Sequence, residues 1–363
     1  MARKIIVLLL AVSGLVGLGL GYVWGGLQSY AHYQQASLAD RQHCGGQLPV
    51  RVCVNAPQEV FSAFYPSYLH TGSPVVEVFF SSLAGPQPLR ISVAIAGFSQ
   101  METRTVSAVE RMQSAGFVPP LLNGVLQRLT SDRQTQLQVT VTDVRGTRYY
   151  SNAIPLQLHS RRLMAWSAAN RLRIAAWITP TASAVEELVT RATAYLPQQP
   201  PPAPLAMTGY SGTILRQVLD QVDAIFDALR LDYGLRCQRQ GVPYAGPEST
   251  ASATQAIRLP SEVLQQGSGS DVEVTLLLAS AVESIGLHAV IVVLPDRTLL
   301  GVALSPDEQG FGYWDASQLS AAMTGDAVNI ASDALYAKEE KQGAVIDRIL
   351  VSEARHAGVE PML

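Results

Sequence analysis

Apolar and polar positions alternate with three different periods along the chain. From Ile5 to about Leu27 the residues are almost continuously apolar and carry no charge. Roughly 20 residues at 1.5 Å each cross a ~30 Å hydrocarbon core, so the run predicts a single transmembrane helix over residues 1–27. Arg3 and Lys4 precede it, which places the N-terminus in the cytoplasm, and Tyr22 and Trp24 fall at the outer interface. Ser13, Gly17, Gly21 and Gly25 recur every four residues and form a small-residue ridge for helix–helix contact. A cleaved signal peptide is the rival reading, with Ser29-Tyr30-Ala31 as its cleavage site, although its apolar region would be about 7–15 residues. Residues 28–48 are polar and mixed, as in a stalk.

Over residues 49–160 the period becomes two. The segments 75–80, 89–95 and 137–142 read as half-buried strands, as does 154–158, whose Pro155 suggests an edge or a strand start. Asp143-Val144-Arg145-Gly146 reads as a hairpin turn. The pattern predicts an immunoglobulin-like β-sandwich. A connecting segment follows over 161–204. In it, 174–180 reads as a buried strand, 182–196 as a helix through Val185, Leu188, Val189 and Ala192, and 197–204 as a proline-rich spacer. Arg161-Arg162 and Arg171-Leu172-Arg173 form a small basic cluster, read as solvated surface or as a salt-bridge partner for Glu186 and Glu187. The last part, 205–363, predicts a helix at 215–231, an apolar helix at 271–285, strands at 289–294 and 299–304, a third at 313–315, and helical character around 346–354. Helix followed by antiparallel strands is an α+β arrangement.

Composition narrows the function. Hydrophobic residues make up 48% and charged residues 15%, which supports packed cores and excludes a disordered chain. The net charge of -3 supplies no basic field for nucleic acid. Cys44 and Cys53 either pair in an oxidising compartment or stand as two thiols, and Cys237 is left over. There is no HExxH, P-loop or GxGxxG after a strand, so no cofactor is expected. His32, His43 and Cys44 lie near one another without a second ligand pair, so no metal is expected either.

The run from about 210 to 320 resembles the transglutaminase-like superfamily, which shares the papain-type core. Residues 257–264 look like the segment before that family's nucleophile, 269–286 like the nucleophile helix, the two strands after it like the hairpin bearing the histidine, and 313–317 like the strand bearing the aspartate. The resemblance covers under a third of the chain. Active members open the helix with a cysteine, where free N–H groups and the helix dipole favour a thiolate, and a histidine–aspartate pair serves as base and orienter. Here Asp271 occupies the cysteine position, with Ser270 one residue away. Pro295-Asp296-Arg297 occupies the histidine position, and only Asp315 keeps the family's residue type. His288 precedes the strand and does not match. Ser270 is expected as an N-cap and Asp271 as an acid stabilised by the helix dipole. A carboxylate pair of Asp271 and Asp296 is the alternative, with Arg297 a salt-bridge partner for one of them. Cys237 falls on a strand before the motif. The wider organisation, with anchor, sandwich and transglutaminase-like domain, also resembles a set of bacterial membrane proteins.

These readings lead to one expectation with two rivals. The chain is expected to be a single-pass membrane protein with its C-terminal domains outside the cytoplasm. It would be a non-catalytic scaffold or binding protein with no cofactor, touching the lipid bilayer through its first helix and a protein partner, which could itself be membrane-embedded. One rival is an accessory subunit of a membrane complex. The other is a peptide or cell-wall hydrolase with a rearranged site at Ser270, Asp271, Asp296 and Asp315.

Overall fold

A computed structural model describes residues 42–197, 206–211, 215–320 and 323–362. It is α+β and divides into two compact units. The first nine strands in chain order are β1 (Gln42–Gly45), β2 (Val50–Asn55), β3 (Glu59–Phe61), β4 (Val76–Ser82), β5 (Gln87–Ile95), β6 (Glu102–Ala108), β7 (Gln113–Phe117), β8 (Arg133–Asp143) and β9 (Arg148–His159).

The first unit takes its described residues from 42–58, 74–120 and 135–156. One sheet has the order β1-β2-β4-β7, and a second runs β9-β8-β5-β6. Alternate positions are buried on both: Val50, Val52 and Val54 on β2; Leu89, Ile91 and Val93 on β5; Leu137, Val139 and Val141 on β8. That period-two burial is what two sheets need to share one apolar layer. The β8–β9 turn closes because Asp143 Oδ1 accepts the amides of Arg145 and Thr147, each at 2.8 Å. Gly146 there adopts φ +89°, a conformation open mainly to glycine. Cys44 and Cys53 face each other across the β1–β2 pair and form a disulfide.

The second unit takes in 59–73 and 121–134 as well as the chain from 157 onward. Residues 161–197 therefore pack within this unit: Ile174, Trp177, Val185 and Leu188 share one core with Val222, Phe226 and Leu277. The end of β9 pairs in parallel with β3. The remaining strands are β10 (Leu163–Trp166), β11 (Arg236–Gln238), β12 (Ala253–Ala256), β13 (Ser268–Ser270), β14 (Ala289–Val293), β15 (Thr298–Ala303), β16 (Phe311–Trp314) and β17 (Asp347–Leu350). The helices are α1 (Tyr65–Thr71), α2 (Val125–Arg128), α3 (Ser183–Ala192), α4 (Leu215–Leu231), α5 (Pro260–Gln266), α6 (Asp271–Ser284), α7 (Gly325–Lys341) and α8 (Val351–His356). Helix α6 is buried from Asp271 to Val282 and packs on the antiparallel sheet β16-β15-β14-β17.

Several expectations are corrected here. The fold contains no transmembrane helix among the described residues, because none of their helices is long and apolar enough to cross a membrane. The most apolar, α6, has 14 residues and so spans roughly 21 Å, short of a ~30 Å core. The longer α4 and α7 have 17 residues each and carry several charges. The run 5–27, with Ser13, Gly17, Gly21 and Gly25, lies outside the described residues, as do the stalk up to 41 and 198–204 of the proline-rich spacer. Residues 174–177 are not a strand. They end a 3-10 helix, Arg171–Trp177, in which Ile174, Ala175, Ala176 and Trp177 are all buried. A short continuous apolar run does not distinguish the two conformations by period. Asp347–Leu350, expected as helix, is strand β17 on the edge of β14, and the helix starts at Val351.

Candidate functional site

The site forms where α6 begins. Strand β13 runs parallel to β11, in the register Cys237↔Gly269 and Gln238↔Ser270, and then turns directly into the helix. Ser270 is the N-cap. Its hydroxyl accepts the Glu273 amide at 3.4 Å, and Glu273 Oε2 accepts the Ser270 amide at 2.9 Å. This reciprocal pair satisfies two of the amide donors left over at the helix start. Glu273 is in turn held by Arg258, whose backbone amide and Nε both donate to Oε1 at 2.8 Å. Bonding to Arg258 keeps the Glu273 carboxyl below the ordinary glutamate range despite burial.

Asp271 is fully buried. Oδ1 accepts the Gln240 amide at 3.2 Å and Oδ2 the Thr298 amide at 2.9 Å. Its carboxylate therefore ties the segment after β11 and the start of β15 to the helix. Burial pushes its carboxyl above the usual aspartate range, while the surrounding amides pull the other way.

The β14–β15 turn carries Asp296 and Arg297. The Arg297 guanidinium grips Asp296 through Nε (3.0 Å) and Nη2 (2.8 Å), and donates through Nη1 to Asp315 Oδ2 at 2.9 Å. Asp315 follows β16 and is buried. Its Oδ1 accepts both the amide and the hydroxyl of Ser317, at 2.9 and 2.6 Å. Arg239 adds a second cation, 3.7 Å from Asp296 and 4.0 Å from Asp315. Asp296, exposed and paired, is held below the ordinary aspartate range, chiefly by Arg297.

The structure thus groups Arg297, Asp296 and Asp315 in one ion-pair cluster and gives Asp271 a separate set of backbone partners. Ser270 serves as the cap, and its recorded bonds involve Glu273 and no histidine. His288 pairs instead with Glu308 at 3.3 Å and meets Tyr210 edge-on. Cys237, set beside Gly269 by the β11–β13 register, has its thiol pushed far up by burial and by the carboxylates of Asp271, Asp315 and Glu273. A thiol so disposed is not a nucleophile at neutral pH. Cys44 is half of a disulfide, which removes it as a thiolate ligand. Among the described residues no group of three or more His, Cys, Asp or Glu side chains is placed to hold a metal ion.

Two participants were not read from the sequence. Arg239 continues the alternation of β11 from Cys237, so the strand period places both on one side. That signal becomes usable only once the short strand is assigned. Arg258 lies 15 residues from Glu273 with no motif linking them. The basic cluster also resolves differently from the expectation. Arg161 and Arg162 pair with Glu262, Arg171 with Asp347 and Glu353, and Glu187 with its helical neighbour Arg191.

No family model matches the chain, and no curated protein or solved structure shows significant similarity to it.

Proposed function

We propose that this chain works outside the cytoplasm as a non-catalytic binding protein, built on a degenerate transglutaminase-like frame. One observation carries the reading: the positions where the resemblance puts thiol and base hold a buried Asp271 bonded to two backbone amides and an Arg297 locked between Asp296 and Asp315. A guanidinium stays protonated and cannot accept a proton, so Arg297 cannot act as the base at the position where the resemblance puts histidine. The order of β13, α6 and the antiparallel strands supports the frame. The Cys44–Cys53 disulfide favours an oxidising compartment. The hydrolase reading needs an open site joining Ser270, Asp271, Asp296 and Asp315, and it is disfavoured because Asp271 is sealed and the other two carboxylates are neutralised by arginine.

The test is turnover by the full chain. Peptide hydrolysis, amide hydrolysis and glutamine–lysine crosslinking are expected at the buffer rate, in the parent and in Ser270→Ala alike. The substitution removes one cap at a cost of about 1 kcal/mol, so the variant folds. Turnover present in the parent and absent in folded Ser270→Ala overturns the proposal.

A further inference from the structure

Arg173 is the member of the basic cluster that has no acidic partner among the described residues. Its guanidinium lies over two aromatic faces, 4.9 Å from the Phe64 ring centre and 4.8 Å from that of Tyr68. Stacking fixes the plane of the guanidinium and leaves its edge N–H donors unfilled. These donors border a cavity of about 150 Å³ within the second unit, lined among others by Ser67, Tyr68, Thr71, Leu172 and Val359. Ser67 is buried and accepts the Glu360 amide at 3.2 Å. Among the described residues its hydroxyl proton and that of Tyr68 have no acceptor. A fixed guanidinium edge and the hydroxyls of Ser67 and Tyr68 therefore border one small space.

We infer that this cavity binds the carboxylate of a small organic acid or of a peptide, with Arg173 as its bidentate partner. The planar guanidinium edge matches a carboxylate in geometry and charge. The volume is that of a cavity known to hold benzene, which leaves room for a carboxylate on a three- or four-carbon chain. Leu172 and Val359 supply apolar wall for that chain. A phosphate fits less well. It carries more negative charge, the site offers one cation, and Glu360 stands nearby in an ion pair with His70 at 3.2 Å. The site uses none of the residues around Asp271, so it goes beyond the proposed absence of catalysis and does not depend on it.

Titration of the full chain by calorimetry tests the inference. The probes are butyrate, inorganic phosphate, and a short peptide with a free or an amidated C-terminus. Saturable binding of butyrate or of the free-acid peptide is expected, with the amidated peptide and phosphate at least about tenfold weaker, the scale of one charge-assisted hydrogen bond. A free-acid peptide that binds more tightly than butyrate identifies a peptide source, and the reverse order a small acid; each supports the site. Arg173→Gln is expected to weaken binding at least about tenfold. Tyr68→Phe keeps the ring beneath Arg173 and should weaken binding about threefold, which provides a reading if Arg173→Gln does not fold. The inference is overturned by the absence of saturation below about 100 mM for both carboxylates, by phosphate binding as tightly as butyrate, or by unchanged binding in folded Arg173→Gln or in Tyr68→Phe.

Discussion

Replacing Asp223 with asparagine removes a stability loss of about 4 kcal/mol that the parent chain undergoes as pH rises from about 4 to about 8. Asp223 lies on α4, inside the core of the second unit, and is 8% exposed. Oδ1 accepts Trp314 Nε1–H at 2.9 Å, and Oδ2 is buried without a hydrogen bond. Helix α7 packs closely here: a Cβ on Gly325 would stand 2.5 Å from the Asp223 carbonyl oxygen, so only glycine fits. The facing charges are Asp326 from α7 and Asp220 and Arg216 from α4. Arg216 is already shared between Asp220 (2.7 Å) and Asp326 (3.0 Å). Burial is the main cause that pushes the Asp223 carboxyl up to about 7.

The sign follows directly. The folded chain holds this proton more tightly than the unfolded chain, whose carboxyl titrates at its ordinary value near 3.8. The resulting stabilisation is complete below that value and is lost as pH rises through about 7. Asparagine keeps the acceptor for Trp314 and cannot ionise. Denaturant unfolding of parent and variant across this range should show the parent falling relative to Asp223→Asn and the variant more stable at pH 8. Parallel pH profiles would contradict the assignment.

Glu262→Gln is expected to destabilise the chain by about 3–5 kcal/mol at pH 7, the scale for breaking a buried ion pair on one side. Glu262 lies on α5 and receives Arg161 in a two-pronged contact, at 3.0 and 2.9 Å. It also receives Arg162 and the Leu259 amide. The Arg161 side chain is 7% exposed and its Nε already lacks an acceptor, so loss of the carboxylate leaves a buried charge with little compensation. These arginines hold the Glu262 carboxyl down at about 2. The stabilisation is therefore complete above about 4.5 and is lost as pH falls through about 2. A fall in the urea midpoint at pH 7 that shrinks toward pH 2 is the expected pattern. An unchanged midpoint at pH 7 would show that the pair contributes nothing net.

Much of the second unit was legible because its elements carry strong local signals. The stripe of Val218, Val222, Ile225 and Leu229 marks α4 at the residues where it forms, and Gly286 closes the helix that Ser270 caps. Other elements carry weaker signals. Helix α7 mixes Asn329, Ser332 and Tyr336 into its buried face, so its apolar period is faint, and it went unread. Residues 174–177 are a short, wholly buried apolar run whose period does not distinguish helix from strand, and burial among long-range neighbours decided their conformation. The disulfide depends on the β1–β2 register, which sets Cys44 opposite Cys53, and spacing alone could not supply that. At the site, the order of elements was enough to place Asp271, Arg297 and Asp315. It could not show that Asp271 bonds to amides from two different segments, or that Arg239 joins the ion-pair cluster.

Covalent labelling of the folded full chain tests the central claim most directly. Intact-mass and peptide analysis after treatment with a fluorophosphonate, which reports an activated serine, and with iodoacetamide, which reports an accessible thiolate, should show neither Ser270 nor Cys237 modified in the native state. Cys237 should react only after unfolding, since its thiol is buried and set against three carboxylates. Stoichiometric modification of Ser270 or Cys237 in the native chain would contradict the account.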